Sequence, residues 1–411
     1  MTEKTILLIG TMDTKEEELL FCRDLIARRG FKVLLLDAGI LKDPRTPPDV
    51  TRQEVARAAG VVDLASLLAT GDKGKCIATM IRGVATKTQE LLRQGAFHGI
   101  LGIGGGQGTD ICASGMRSAP RGMPKLLVST VASGKATFGP YVGTKDITMM
   151  HSIVDLQGLN FLIRRILANA VGAICGMVET LDEGEIKPRG IPVALSMLGT
   201  TTPGAMRVKS ILERHGYEVV AFHQNGTGGI AMEELIREGA FKGVLDLNLH
   251  EIGDRFVGGL HSDPQKERLE AAGEVGIPQI VAPGSINYAV WGPFSSLPEQ
   301  LRSRKYIIHN PNMTLVRLSP EELREVGKLT AAKLNRAKGP TRVFIPLRGF
   351  SYPDRENLPH WEPEGNRAFI EALKANLRPS ILLQEVDAHI NDPEFNEPVA
   401  EAFLSMMEEY R

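Results

Sequence analysis

The stretch Gly104-Gly105-Gly106-Gln107-Gly108-Thr109-Asp110 is the part of this sequence best suited to hold a charged ligand. It follows the apolar run FHGILGI, and Ile111 to Met116 then reads as the start of a helix. Glycines let a backbone approach an oxyanion closely, and successive N–H groups at a helix start favour negative charge. Gly104, Gly105, Gly106, Gln107, Gly108, Thr109 and Asp110 are therefore expected to bind the phosphates of a nucleotide such as ATP. The plain alternative is a tight turn that needs glycine for positive φ. Four glycines in five positions suit the cradle better.

Three further groups are candidates for the same ligand. Thr11, Asp13, Thr14 and Lys15 follow the first apolar run, TILLIG, and equally fit a helix cap, with Thr14 and Glu17 at capping-box spacing. Asp37 ends the next run, where a ribose acceptor would belong. Ser133-Gly134-Lys135 resembles part of a Walker A loop, but Ala136 follows the lysine and Ser129 stands where that motif needs glycine. Lys135 then reads either as a point charge on a phosphate or as a solvated lysine. GxGxxG is absent after the first run, which weakens a dinucleotide reading.

The second half offers different chemistry. His250, Glu251 and Asp254 follow the run GVLDL, with His261 and Asp263 close behind. They do not complete the His-Glu-x-x-His zinc pattern, because position 254 is Asp and the pair follows a strand. Imidazole and carboxylate together suit acid–base work or a metal, and hydrogen-bonded structural residues are the alternative. Pro283 to Asn287 fits an anion-binding turn. Arg348, in PLRGFS, would clamp a carboxylate or phosphate, or form an interdomain salt bridge. His250, Asp254 and Arg348 are the expected catalytic residues.

These residues need a scaffold that brings strand ends together. Short apolar runs alternate with amphipathic stretches, as in a doubly wound parallel sheet. The pattern then repeats. IPVALSMLGTTTPGA parallels TILLIGTMDTKEE, EGAFKGVLDL parallels QGAFHGILGI, and IPQIVAPGS parallels MPKLLVSTV. The first half has extra chain near residues 41–80. The expected architecture is α/β, with two Rossmann-like domains related by internal duplication, at 1–184 and 190–411. LDEGEIKPRG is the linker. Beyond the repeat, Ser319, Pro320 and Glu322 start a capped helix, VFIPLRGF and ILLQEV add strands, and PVAEAFLSMMEEY closes the chain as a helix.

A net charge of −1 over 411 residues lacks the basic excess of a nucleic-acid binder. The apolar stretches look too short for a membrane span, and MTEKTILLIG enters a strand without an evident leader. Cys22, Cys76, Cys112 and Cys175 form no CxxC pair and read as reduced thiols of a cytoplasmic protein.

GTMDTK, GGGQGTD, STVASG, PLRGFS and HINDPEFN, taken in order, resemble one microbial and plant family. It is the family related to the ATP-binding N-terminal domain of the tomato mosaic virus resistance protein. The resemblance spans nearly the whole chain. It implies two Rossmann-like subdomains, ATP binding in the N-terminal half and a homodimer, and supplies no reaction. The function expected is ATP binding, with or without an accompanying divalent metal, serving an enzyme that acts on a small acidic substrate in an interdomain cleft. A metal- or His/Asp-dependent lyase or hydrolase of a phosphorylated small molecule, and a non-catalytic nucleotide sensor, are the alternatives.

Overall fold

The computed structural model describes residues 4–133, 139–183, 187–261, 263 and 267–410. The chain divides into two compact units, Met1–Ile186 and Lys187–Arg411, called domain 1 and domain 2 below.

Domain 1 alternates strands and helices: β1 (Thr5–Gly10), α1 (Met12–Arg28), β2 (Lys32–Asp37), α2 (Arg52–Ala58), α3 (Leu64–Ala69), α4 (Lys73–Arg93), β3 (Gly99–Gly104), α5 (Gly106–Ser118), β4 (Lys125–Ser129), α6 (Gly139–Val142), β5 (Thr148–His151) and α7 (Phe161–Glu179). The five strands are parallel, in the order β2-β1-β3-β4-β5. Helices cover both faces, so the central strands bury both sets of side chains and read as continuous apolar runs. Leu7, Ile9 and Ile100 face one core, and Ile6, Leu8 and Leu101 face the other.

Two expectations need correction here. α1 starts at Met12 with Thr11 as its N-cap, three residues earlier than a Thr14–Glu17 capping box requires; Thr14 instead lies inside the first turn and contacts the Thr11 hydroxyl at 3.2 Å. The apolar stretches are also longer than they looked. α7 has 19 residues and a mean hydropathy of 1.6, enough by length and composition to cross a membrane. Ile163, Leu167, Ala170, Ile174 and Val178 form a buried stripe on it, packed on β3, β4 and α1, as in a core helix.

Domain 2 begins with β6 (Ile191–Met197), α8 (Thr202–Arg214), β7 (Tyr217–His223), α9 (Gly228–Arg237), β8 (Val244–Asn248), α10 (His250–Val257), α11 (Ala271–Val275) and β9 (Gln279–Gly284). There follow β10 (Tyr288–Trp291), α12 (Glu299–Arg302), β11 (Tyr306–Asn310), β12 (Met313–Arg317), α13 (Pro320–Leu334), β13 (Thr341–Pro346), α14 (Pro363–Asn376), β14 (Leu382–Val386) and α15 (Pro393–Tyr410). The main sheet is parallel, ordered β14-β13-β9-β8-β6-β7. Its β7-β6-β8-β9 segment repeats the β2-β1-β3-β4 order of domain 1, as the duplicated sequence pattern requires. The extra chain of domain 1 is α2, α3 and the start of α4, whereas α9 is the one helix between β7 and β8.

Ser319 caps α13 in a full capping box with Glu322, as its spacing indicates. The small antiparallel sheet β10-β12-β11 was not legible in the sequence. Its strands are four or five residues long, too short to establish a period. Directly after β8, His250 and Asp254 belong to the first turns of the helix α10.

Candidate functional site

In an open parallel sheet the loops after two neighbouring strands part where the strand order reverses, and a crevice opens beyond their carboxyl ends. In domain 1 that point lies between β1 and β3. A cavity of about 250 Å³ occupies it. The chain after β1 supplies Thr11, Asp13, Thr14 and Lys15, and the chain after β3 supplies Gly105, Gly106, Gln107 and Gly108. Two segments read separately in the sequence thus meet on one wall. Ile40, Leu41 and Ile77 add an apolar side, and Lys73, which the sequence reading passed over, adds a second cation.

The glycines serve two purposes. A Cβ on Gly104 would lie 2.3 Å from the Gly108 carbonyl carbon and 2.4 Å from the Thr109 nitrogen, so Gly104 lets α5 fold back on β3. Among the described residues nothing lies within 4 Å of where a Cβ on Gly106 would stand, and Gly105 and Gly108 meet their first neighbours at 3.9 Å. The tight-turn reading fails as well. Gly105 caps α5 with φ −77°, and the positive-φ glycines lie elsewhere in the chain. Among the described residues nothing therefore demands glycine at 105, 106 or 108. The first N–H groups of α5 have no acceptor inside the helix and carry the positive end of its dipole.

The remaining candidates separate into lining and supporting residues. The Asp13 carboxylate accepts from the Ile40 and Leu41 amides at 2.7 and 2.8 Å, which pins the loop after β2 against the cavity. Asp37 is fully buried and accepts from the Met12 and Gly39 amides at 2.9 and 2.8 Å. It braces the two loops from behind and does not line the cavity, so the structure corrects its reading as a ribose acceptor. Burial raises its pKa despite those amides. Thr109 is buried, its hydroxyl 2.6 Å from both the Gly105 carbonyl and the Ser129 hydroxyl. Asp110 is not among the residues that line the cavity; burial raises its pKa and Arg117 opposes the shift. Ser133 is exposed and paired with His151 at 3.1 Å, while Gly134 and Lys135 lie outside the described residues. Arg45 engages Glu16 and Glu17, the acidic neighbours of Lys15. Among the described residues neither Lys15 nor Lys73 is paired with a carboxylate.

At the equivalent point of domain 2, between β6 and β8, side chains close the gap, and a cavity of about 260 Å³ lies to one side of it, lined by Gly226, Ile230, Glu251, Arg255, Arg268 and Lys333. Thr200 follows β6 and is hydrogen-bonded to the Ser285 hydroxyl at 2.7 Å and to the Tyr288 hydroxyl at 2.9 Å. Asn248, at the end of β8, donates to Thr201 and Ser285 at 2.9 Å. Ser285 is fully buried, which corrects the anion-binding turn expected there, and it holds φ 55°, a conformation a non-glycine residue rarely adopts. His250 is also fully buried, its ring 4.8 Å from that of Tyr288 and 5.4 Å from that of His261. Its Nδ1 donates to the Ser285 carbonyl at 3.2 Å, which leaves Nε2 as the unprotonated nitrogen, 3.9 Å from Asp254.

Burial, reinforced by His261, pushes His250 down to about 3, so it is neutral at physiological pH. Burial likewise lifts Asp254 to about 6, although the Val290 and His261 amides donate to it at 3.0 and 2.8 Å. His360, 5.7 Å from Tyr288, is pushed down to about 3 by burial and by Arg317. Behind this layer the buried Arg268 binds Glu233, Glu251 and Asp246 at 2.6, 2.8 and 3.1 Å. Arg348, expected in the same site, is exposed and paired with Asp387 of its own domain at 2.7 Å. His250 and Asp254 thus come together, but inside the core, and Arg348 does not join them. Among the described residues no three His, Cys, Asp or Glu side chains converge as metal ligands.

The fold and its two strand-end regions define a two-domain parallel α/β protein built on a repeated β2-β1-β3-β4 order. Residues 4–183 match the N-terminal domain, and 191–407 the C-terminal domain, of the uncharacterised protein family UPF0261. A UPF0261 protein of Clostridium tetani is 40% identical over 98% of this chain and 99% of its own length. One from Mesorhizobium japonicum is 37% identical over 98% and 99%. The ToMV susceptible protein tm-1(GCR26) of Solanum lycopersicum is 32% identical over 97% of this chain and 55% of its own length. The chain belongs to the UPF0261 family.

Proposed function

We propose that domain 1 binds a nucleotide, ATP in the first instance, with its phosphates on the glycine wall at the start of α5. The observation that carries the reading is the open space over Gly105, Gly106 and Gly108 on a cavity that also presents Lys15 and Lys73. Side chains there would cost the fold nothing, so their absence is best explained by something outside the chain that needs the room. A phosphate fits, because free helix N–H groups and two cations supply donors and positive charge where Cβ atoms would block approach. Ile40, Leu41 and Ile77 offer the apolar contact a purine ring needs.

Binding is tested by titrating ATP into the full-length protein calorimetrically and by thermal shift. At a hundredfold excess over its dissociation constant a ligand stabilises by about 2.7 kcal/mol, a readily measured rise in melting temperature. The absence of heat and shift with ATP, ADP and AMP alike would end the nucleotide reading.

A further inference from the structure

We infer that Lys73 reads the terminal phosphates of a polyphosphate ligand, so that the inserted helix α4, and not the glycine wall alone, decides which nucleotide domain 1 prefers. The inference rests on the nucleotide reading of the cavity and adds a residue and a ligand preference to it.

Lys73 is the first residue of the 21-residue helix α4 and lines the same cavity as Gly105 to Gly108. Ile77, one turn further along the same face, lines it too, so this side of α4 forms a wall of the cavity. The acidic residue next to Lys73 is already occupied: Asp72 caps α4 by accepting from the Lys75 amide at 2.9 Å. Lys73 is exposed at the mouth, and no carboxylate among the described residues neutralises it. Other cations of domain 1 do hold a carboxylate, among them Arg45, Arg52, Lys87 and Lys125.

Charge and position together set the ligand class. The start of α5 and Lys15 suffice for one phosphate. Lys73 comes from a separate element, the inserted part of the segment between β2 and β3 for which domain 2 has no equivalent. A second cation on the same cavity is of use to a ligand whose negative charge extends beyond the first phosphate. A lysine ammonium suits that task as a mobile point charge with three donors. A di- or triphosphate presents such charge, and a nucleoside monophosphate does not.

The test is calorimetry of ATP, ADP and AMP on full-length wild type, Lys73→Gln, Lys73→Arg and Gly106→Val, at one fixed ionic strength. Wild type is expected to bind ATP at least tenfold more tightly than AMP. Lys73→Gln should lose about tenfold for ATP and stay within twofold for AMP, and Lys73→Arg should recover most of the loss. An exposed lysine leaves the fold intact, which circular dichroism verifies. If Lys73→Gln weakens all three nucleotides equally, or none, the inference is wrong. The nucleotide reading would survive that result provided Gly106→Val still abolishes binding. Should wild type bind none of the three, the reading beneath the inference fails first.

Discussion

Domain 1 and domain 2 order their first four strands alike, as β2-β1-β3-β4 and β7-β6-β8-β9, yet treat the same place beyond the strand ends in opposite ways. In domain 1 the loops are lined with glycine, the carboxylates Asp13 and Asp37 are spent on backbone amides, and two lysines are left unpaired around a cavity. In domain 2 Thr200, Asn248, His250, Ser285 and Tyr288 close the gap with hydrogen bonds, and Asp254 holds the β10 backbone through Val290. Strand order therefore fixes where a crevice can form, and the side chains at that point decide whether it stays open. The inserted segment matters equally, because the start of α4 lines the open cavity with Lys73 and Ile77 and has no counterpart in domain 2.

If the filled end is structural, its buried charges are the most sensitive point in the molecule. Arg268→Met strands Glu233, Glu251 and Asp246 in the core without their cation. Burial alone would lower the arginine's pKa, but these carboxylates outweigh it and raise it, holding the side chain charged. Removing one partner of such a network costs about 3–5 kcal/mol. Both tryptophans, Trp291 and Trp361, lie in domain 2, so their fluorescence follows its unfolding in urea. The expected outcome is a large drop in that transition and an unchanged ATP affinity. A variant that kept domain 2 stable but lost nucleotide binding would reverse the roles given to the two ends.

Acid should separate the domains next. His250 and His360 are held near 3 in the fold and return to about 6.5 when unfolded. Protons then favour the unfolded chain, so the stability these two give is complete above about 6.5 and is lost as pH falls towards 3. Asp254, lifted to about 6, works the other way: its contribution is complete below about 3.9 and fades as pH rises through 6. Burial lowers His261 and His389 as well and raises Glu251 and Asp354 as it does Asp254, so four histidines stand against three carboxylates in domain 2. The tryptophan-detected urea midpoint should fall from pH 7 to pH 4.5, and His360→Gln should flatten the slope. A midpoint that rose on acidification would mean that the carboxylates dominate and the histidines are less enclosed than their burial implies.

The open end predicts a smaller change, confined to binding. Gly106→Val places its side chain in free space at a non-left-handed residue, so domain 1 should fold as before. ATP affinity should drop tenfold or more, about 1.4 kcal/mol, because the branched side chain occupies the phosphate position. Normal binding by the folded variant would place the phosphates elsewhere in domain 1. His250→Gln is the companion control and should leave ATP affinity within a few fold.

The smallest effect belongs to Arg348. Its partner Asp387 is as exposed as it is, and solvated pairs of this kind contribute little. Arg348→Ala should leave both the urea midpoint and ATP affinity unchanged. A lost activity, once a reaction is assigned, would restore it to the site.

By itself the sequence determined the class of fold, the repeat and the glycine wall. Apolar runs between capped helices require a parallel sheet, and the matching runs QGAFHGILGI and EGAFKGVLDL require the same strand twice. Tertiary structure alone decided the rest, because burial and pairing depend on residues far away in the chain. A glycine loop is written the same way whether its glycines relieve a clash, as at Gly104, or leave room, as at Gly106. His250 and Asp254 look alike as a catalytic pair or as core residues until Tyr288, His261 and Val290 close around them. Lys73 carries no motif at all. It becomes part of a site when α4 packs so that its first turn faces the loop after β3, a juxtaposition of residues more than thirty positions apart that no local pattern encodes.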